Sequence, residues 1–558
     1  MKRHIFSLIV LLLLSFGAIR PLLAKGFFPM HDDTQVGRVI VMGKALRNGQ
    51  FPVRWVSDLG YGYGYPLFNY YGPLPYYVGG FLYALGLPAV EATKLIFLFG
   101  IILSGFTMYV LAGTWFGASA GILAAILYMY APYHAAQAYV RGAVGELWAY
   151  AFLPLAVWGF LRMSDTAERS EALLIGGIGL AGVILSHTIL GYVTIAFYVA
   201  GLVLYSLILV FKKRLDFSLL TSHFSLLLIG LGLSAFFWLP AISEMRFTNV
   251  SGQIGLTADY RDHFVCLSQL WNSPWGFGGS AKGCTDGMSY KLGKLQILTA
   301  VAAVLVWFVK RRSNQKYDRY MVFGMGVSIL SIFFMLQASQ VLWKFAPNAT
   351  YIQYPWRLLT YAVLGISMIG GAVVVLIKNR LQRLVLVGAV CIMVVGVNAK
   401  WFLGQFIINK PAGSYESQEE LRYRVSKISD EYLPPDFVRP QKPSESSYEA
   451  VPLSRQYSAE TEVDTETYTK IALQSNVDTE VSLHTLYFPG WEYWVNGKKV
   501  LPNIQDSLPR IAVPAGESVL EMHFFNTPVR SLANLISIIT LGSLLVVYGS
   551  KKTSETIA

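Results

Sequence analysis

Three polar residues, His31, Asp32 and Asp33, stand a few positions after an apolar run at 5–24 that is long enough to cross a bilayer. Two adjacent carboxylates near a membrane surface are costly to keep without a purpose, although an acid at that depth can simply be solvated. The segments NGQFPVRW at 48–55 and GYGYGYPLFNYYGPLPYY at 60–77 follow, dense in aromatic residues, glycine and proline. Tyr63, Tyr65 and Tyr70 offer flat faces and hydroxyls, suited either to holding a sugar or to anchoring at headgroup level. Gly60, Gly62 and Gly64 do not make a phosphate loop, since no strand precedes them and no helix opening with GK[ST] follows. They suit a loop folded closely over a membrane-embedded cavity.

Ionisable residues recur at the ends of later apolar runs. Arg141 and Glu146 open one, His187 closes another, and Tyr354-Pro355-Trp356-Arg357 begins a third. Such residues usually face a bundle interior, so these would converge on one cavity if turned inward. Glu146 reads equally as a site residue or as a structural partner of Arg141. His187 could bond a phosphate or a sugar hydroxyl, or be a satisfied helix-end histidine. Asp259, Asp262 and His263 with Trp271 and Trp275 make a mixed polar and aromatic surface, fit for acceptor contact or for a lid. Their spacing matches no metal-ligand pattern, so no metal site is expected.

The elements that position these residues are set by composition. Of 558 residues 54% are hydrophobic and 14% charged, and the apolar ones gather in blocks of about 17 to 25, the span of a bilayer core. A net charge of +12 would suggest nucleic acid in a soluble protein. Here the basic residues sit in short clusters at the ends of apolar spans: Lys2/Arg3, Arg162/Arg169, Lys212/Lys213/Arg214, Lys310/Arg311/Arg312 with Lys316/Arg319, Lys378/Arg380/Arg383 and Lys551/Lys552. With all of them facing the cytoplasm, one path of about twelve spans results, with both termini inside. The spans fall near 5–24, 92–113, 118–133, 142–162, 172–187, 190–211, 217–240, 292–309, 319–337, 356–377, 382–404 and 530–549. The stretch 172–211 reads as two spans with a turn near His187–Gly191 or as one span plus a re-entrant piece. The first run reads as a span or as a cleaved signal peptide ending near Ala24.

The fold class is thus an α-helical polytopic membrane protein with an extracytoplasmic C-terminal β domain. Residues 1–404 form the transmembrane domain, with outer loops 25–91, 241–291 and 338–355. The proline-bearing stretch 405–454 is an irregular connection. Residues 455–529 show short alternating runs and turns at Asn496-Gly497 and Ala515-Gly516, the pattern of a small β-sandwich. Residues 530–558 supply the last span and a cytoplasmic tail. The work is expected at the outer face of the cell membrane, where the long loops lie. Cys266 and Cys284 share one outer loop and read either as a disulfide or as free thiols; Cys391, inside a span, reads as a packing residue.

The runs HDDTQVGR, NGQFPVRW and GYGYGYPLFNYYGPLPYY, with RGAVGELWAYAFLPL, LSHTILGY and YPWRLL, resemble the bacterial membrane proteins filed as pyruvoyl-tetrahydropterin-synthase-related. TLYFPGWEYWVNGKKV, AVPAGESVLEMHF and NTPVRS are similar to the terminal domain of YfhO-like proteins. Both groups are placed with the GT-C fold of polyprenyl-phosphate-dependent glycosyltransferases, and nothing in the chain suggests pterin chemistry. The resemblance implies an inverting transfer of a hexose or pentose from a polyprenyl-phosphate donor to an envelope glycan or lipid acceptor, with membrane lipid and no nucleic acid as further partners. It implies an acidic general base in the first outer loop: Asp32 first and Asp33 close behind, since neighbouring carboxylates repel and one can take a raised pKa. It implies a cation for the leaving phosphate. Arg357 suits this, because a planar guanidinium grips phosphate with two parallel bonds, although an interfacial arginine can also snorkel beside a tryptophan belt. Arg141 and His187 are further phosphate candidates. His31, Tyr63, Tyr65, Tyr70, Glu146, Tyr354 and Trp356 are candidates for substrate contact. No organic cofactor is expected and a divalent cation is left open. Two other readings are a transporter or flippase of lipid-linked glycans, which would place polar residues at mid-depth in several spans, and a non-catalytic scaffold that binds envelope glycans.

Overall fold

The computed structural model describes residues 2–165, 169–213, 216–250, 259–310, 317–346, 349–447, 449–452 and 454–557. Arg214, Arg311, Arg312 and Lys316 of the basic clusters lie outside the described residues. Among those described, nine helices are long and apolar enough to cross a membrane: His4–Leu23, Ala89–Phe116, Val144–Arg162, Arg169–Ser186, Thr188–Phe211, Asp318–Met335, Pro355–Val375, Arg380–Trp401 and Pro528–Val546. The stretch 172–211 is two helices, separated by His187 alone.

Three of the twelve expected spans differ from plain crossings, and the described helices that are long and apolar enough number nine, or ten if the bent pair counts as one span. Ala118–Met129 has 12 residues, about 18 Å of helix and short of a hydrocarbon core. Lys294–Lys310 has 17. Phe217–Leu233 and Ala235–Phe247 meet at a bend of 73°. The bend has local causes: Ser234 Oγ donates to the Gly230 carbonyl at 2.8 Å, and Pro240 lacks an amide donor. The amide of Phe236, freed at the break, donates to Ser537 Oγ of the last helix at 2.9 Å.

The first helix is packed into the bundle. Tyr130 Oη donates to the Leu14 carbonyl and Tyr139 Oη to the Ala18 carbonyl, at 2.5 and 2.7 Å. Pro132–Ala135 and a wide helical turn at Ala136–Arg141 then run buried to Gly142. Gly142 adopts φ +64°, which reverses the chain into Val144–Arg162. Irregular backbone of this kind persists in a membrane protein where other protein covers it.

Gln35–Arg47 and Leu74–Ala84 pack against each other, and the C-terminal part of the chain forms a β unit. Its strands are β1 (Tyr457–Asp464), β2 (Tyr468–Ser475), β3 (Thr479–Ser482), β4 (Trp491–Val495), β5 (Lys498–Val500), β6 (Asn503–Gln505), β7 (Leu508–Val513) and β8 (Gly516–Phe524). They form two antiparallel sheets, ordered β1-β2-β8-β4-β5 and β3-β7-β6. Alternate residues are buried, among them Ile471, Leu473, Tyr493, Ile511, Leu520 and Met522. Asn496 and Gly497 both take positive φ in the expected tight turn between β4 and β5.

The Gly/Tyr loop is the seam between this unit and the helices. Trp55 packs on Phe488, Trp491 and Phe524, with ring centroids 5.6–6.0 Å apart. A Cβ at Gly64 would sit 2.3 Å from the Trp55 ring. The seam is sewn by main-chain bonds: Leu486 N to Tyr63 O at 2.7 Å and Ser447 N to Tyr61 O at 2.9 Å.

Candidate functional site

Glu146 sits in the first turn of Val144–Arg162 and is 1% exposed. Two guanidinium groups share its carboxylate. Arg141, at the end of the wide turn before Gly142, donates Nη1 to Oε2 at 2.5 Å and Nη2 to Oε1 at 2.8 Å. Arg357, from the first turn of Pro355–Val375, donates Nε to Oε1 at 2.9 Å and Nη1 to the Ile352 carbonyl at 2.6 Å. Tyr133 Oη donates to Oε2 at 3.3 Å, and His187 Nε2 stands 3.6 Å from Oε1. His187 caps its own helix, its Nδ1 accepting from the Leu190 amide at 3.1 Å, so Nε2 is the ring nitrogen that carries hydrogen and faces Glu146. Two arginines against one carboxylate leave one positive charge in the cluster.

Aromatic rings wall this cluster. The Arg141 guanidinium lies 4.5 Å over the Trp356 ring and that of Arg357 lies 4.9 Å from the Tyr354 ring, within the range of cation–π attraction. The stretch 259–291 packs against them: Ser280 Oγ accepts from Trp356 Nε1 at 3.2 Å and bonds His263 Nδ1 at 2.8 Å. A Cys266–Cys284 disulfide, Cα atoms 5.6 Å apart, pins that loop. Asp259 pairs with Arg261 and Asp262 with Lys282, and no group of three metal-ligating side chains occurs among the described residues.

The segment that follows the first helix reaches the same place. The Asp32 amide donates to the Arg141 carbonyl at 3.0 Å and the His31 amide to the Val140 carbonyl at 3.2 Å. His31 Nε2 meets the Phe277 carbonyl, in the stretch 259–291, at 2.8 Å. The two acids then part. Asp33 is paired with Arg424 Nη1 at 3.0 Å, whereas the half-buried Asp32 carboxylate has no ion pair or hydrogen bond among the described residues. Asp32 lies within the electrostatic reach of Arg141, Tyr71 and Tyr76.

Of the residues singled out in the sequence, His31, Asp32, Arg141, Glu146, His187, Tyr354, Trp356 and Arg357 are thus brought together. Tyr63, Tyr65 and Tyr70 go elsewhere. Tyr63 packs edge-on to Phe437 and His484 at 5.3 Å. Tyr65 Oη accepts from the Tyr432 amide at 2.9 Å, and Tyr70 stacks on Tyr432 at 5.1 Å while donating to the Glu244 carbonyl. Their faces are spent on the connection and the β unit, which local composition could not reveal.

Two buried networks were not foreseen. Arg530 of the last helix meets Glu244 through Nε and Nη2, both at 3.0–3.1 Å from its oxygens, and Asn69 Nδ2 donates to the same acid at 2.8 Å. Glu466, 3% exposed, accepts from the Ser57 amide beneath the β unit. Burial, with Asp58 nearby, pushes the Glu466 carboxyl up to about 7, against the opposing bonds from Ser57 and the charge of Lys44.

No family model matches the chain. An uncharacterized protein of Lactococcus lactis subsp. cremoris (strain MG1363) is 25% identical over 255 residues, which cover 44% of this chain and 41% of that protein; the chain therefore spans less than half of this relative's length. Among solved structures, the archaeal oligosaccharyltransferase AglB from Archaeoglobus fulgidus, in complex with an inhibitory peptide and a dolichol-phosphate, aligns with a TM-score of 0.46 at 14% identity, over 81% of this chain and 61% of that one. The arabinofuranosyltransferase AftD from Mycobacteria gives 0.41 at 12% over 74% and 28%. ArnT from Cupriavidus metallidurans in the apo state gives 0.39 at 15% over 74% and 67%.

Proposed function

We propose that the protein is a membrane glycosyltransferase that moves a sugar from a polyprenyl-phosphate donor to a cell-envelope glycan or lipid acceptor at the outer face of the cell membrane. The observation that carries this reading is the pairing of Arg141 and Arg357 on one buried Glu146, next to Asp32, whose amide donates to the Arg141 carbonyl and whose carboxylate has no hydrogen bond or ion pair among the described residues. The surplus positive charge, held on rigid helix ends, suits a phosphate. The free carboxylate suits a general base. The donor class follows from the likeness of HDDTQVGR and YPWRLL to the polyprenyl-phosphate-dependent enzymes.

In the reaction, the acceptor hydroxyl gives its proton to Asp32 as its oxygen bonds the sugar C1. The bond from C1 to the phosphate oxygen breaks on the opposite side, inverting the anomeric centre. The electron pair leaves with the polyprenyl phosphate, whose new negative charge meets Arg357 and Arg141. Trp356, Tyr354 and Tyr133 keep these guanidinium groups in place and limit water around them. Asp33 takes no part, being held by Arg424.

The test supplies the purified full-length protein with a panel of polyprenyl-phosphate hexoses and pentoses and envelope acceptors. Transfer by the parent and its loss in Asp32→Asn and Arg357→Ala is the expected result. Vectorial movement of the lipid-linked sugar in vesicles without transfer to any acceptor would overturn the proposal.

A further inference from the structure

A negative counterpart to the arginine cluster lies within reach of Asp32. The stretch that carries Glu431 belongs to the irregular connection, yet three hydrogen bonds build it into the outer loops. Arg38 Nη2 donates to Ser429 Oγ at 2.9 Å, the Tyr432 amide donates to Tyr65 Oη at 2.9 Å, and the Asn249 amide donates to the Leu433 carbonyl at 2.8 Å. Glu431 is thereby set within the electrostatic reach of Asp32, Arg38 and Tyr71. Arg38 is 4% exposed, and its guanidinium lies 4.0 Å over the Tyr71 ring.

Two polar atoms beside these acids have no protein partner among the described residues: Thr34 Oγ1, in a residue 1% exposed, and Arg38 Nε. An unsatisfied buried polar group is costly, so a ligand that supplies oxygen atoms here relieves a standing penalty. The charges set which ligand. Asp32 and Glu431 against Arg38 leave one negative charge, while Arg141 and Arg357 against Glu146 leave one positive charge. Farther out, Asp33 and Glu420 share the single Arg424, which adds to the negative side. The site is bipolar, with a lipid phosphate suited to one end only.

We infer that Glu431 and Asp32 form the acceptor end of the site and bind the hydroxyls of an uncharged sugar. A polyol fits both demands there, donating to two carboxylates and accepting from Thr34 and Arg38. An anionic acceptor would meet like charge. Glu431 is in this scheme a second acid, contributed by the connection rather than by the loop that carries Asp32. The inference rests on the sugar-transfer reading and names its acceptor class.

The experiment compares transfer by the full-length protein from one active polyprenyl-phosphate hexose to methyl β-lactoside and to a uronate-containing counterpart of the same size. The parent is expected to prefer the neutral acceptor by about tenfold in kcat/KM. In Glu431→Gln the KM for methyl β-lactoside rises about tenfold with kcat little changed, and the discrimination against the uronate shrinks. A merely structural role would lower activity on both acceptors together and leave their ratio as it was. A parent that uses the two acceptors equally, or a Glu431→Gln variant with unchanged ratio and KM, overturns the inference while the transferase reading stands. Transfer absent from every donor removes that reading, and this inference with it.

Discussion

Arg357 Nε and Glu146 Oε1 stand 2.9 Å apart although 211 positions separate the two residues. Arg141, five positions from Glu146, holds the same carboxylate from the other side. The acid is therefore the hinge pin of the cluster, and the phosphate-binding capacity assigned to the arginines depends on it.

Removing that charge should be severe. Glu146→Gln leaves two buried guanidinium groups with no anion between them, and breaking a buried pair in this way costs about 3–5 kcal/mol. We expect a clear drop in thermal midpoint in detergent, read by tryptophan fluorescence, with transfer abolished. A variant as stable as the parent would show that the cluster is solvated.

The two neighbouring acids should separate cleanly. Asp32→Asn is expected to lower kcat by about 10²–10⁴, the usual weight of a general base. Asp33→Asn removes a partly exposed partner of Arg424, and such pairs contribute about 1 kcal/mol or less, so its rate should fall by no more than several-fold. Steady-state rates of the two variants, measured side by side, decide the assignment. Equal losses would count against it.

The seam under the β unit should respond to pH. The Glu466 carboxyl stands at about 7 in the folded protein against an ordinary 4.5, so the folded chain keeps a proton that the unfolded chain releases. The stability this confers is complete below about pH 4.5, declines as the pH rises to 7, and is gone above it, a change of up to about 3 kcal/mol. Melting curves between pH 5 and 8 should show the parent losing stability over this window relative to Glu466→Gln. Parallel curves for the two proteins would refute the assignment.

Reduction of Cys266–Cys284 should loosen the lid. The bridge closes 18 positions of chain, for which about 3 kcal/mol of local stabilisation is expected. The double variant Cys266→Ala/Cys284→Ala should be cut by trypsin at Arg261 or Lys282 markedly faster than the parent in limited proteolysis. It should also bind donor more weakly, since that loop backs Trp356 through Ser280.

Much of this architecture was legible in the sequence, for reasons that particular residues make clear. Apolar runs such as Ala89–Phe116 and Pro355–Val375 announce themselves by length and composition, and Asn496-Gly497 announces a tight turn because few other residue pairs accept two positive φ values. The convergence of Arg141, Glu146, His187 and Arg357 follows from one rule, that charges at the ends of spans turn inward. What stayed hidden depended on tertiary partners. The tyrosines at 63, 65 and 70 look the same in composition whether they face a sugar or pack against Phe437 and Tyr432. Glu431 sits in a polar, proline-bearing stretch with no periodicity. The bend at Ser234 is stable because Ser537, three hundred positions away, accepts the freed amide.

The Glu244–Arg530 contact has a temporal side. Its partners are 286 positions apart, and at 5–20 residues per second the ribosome needs on the order of tens of seconds to make the intervening chain. The Glu244 carboxylate thus gains this partner only after nearly the whole chain has been made, so the pairing with Arg530 is among the last long-range contacts that synthesis permits.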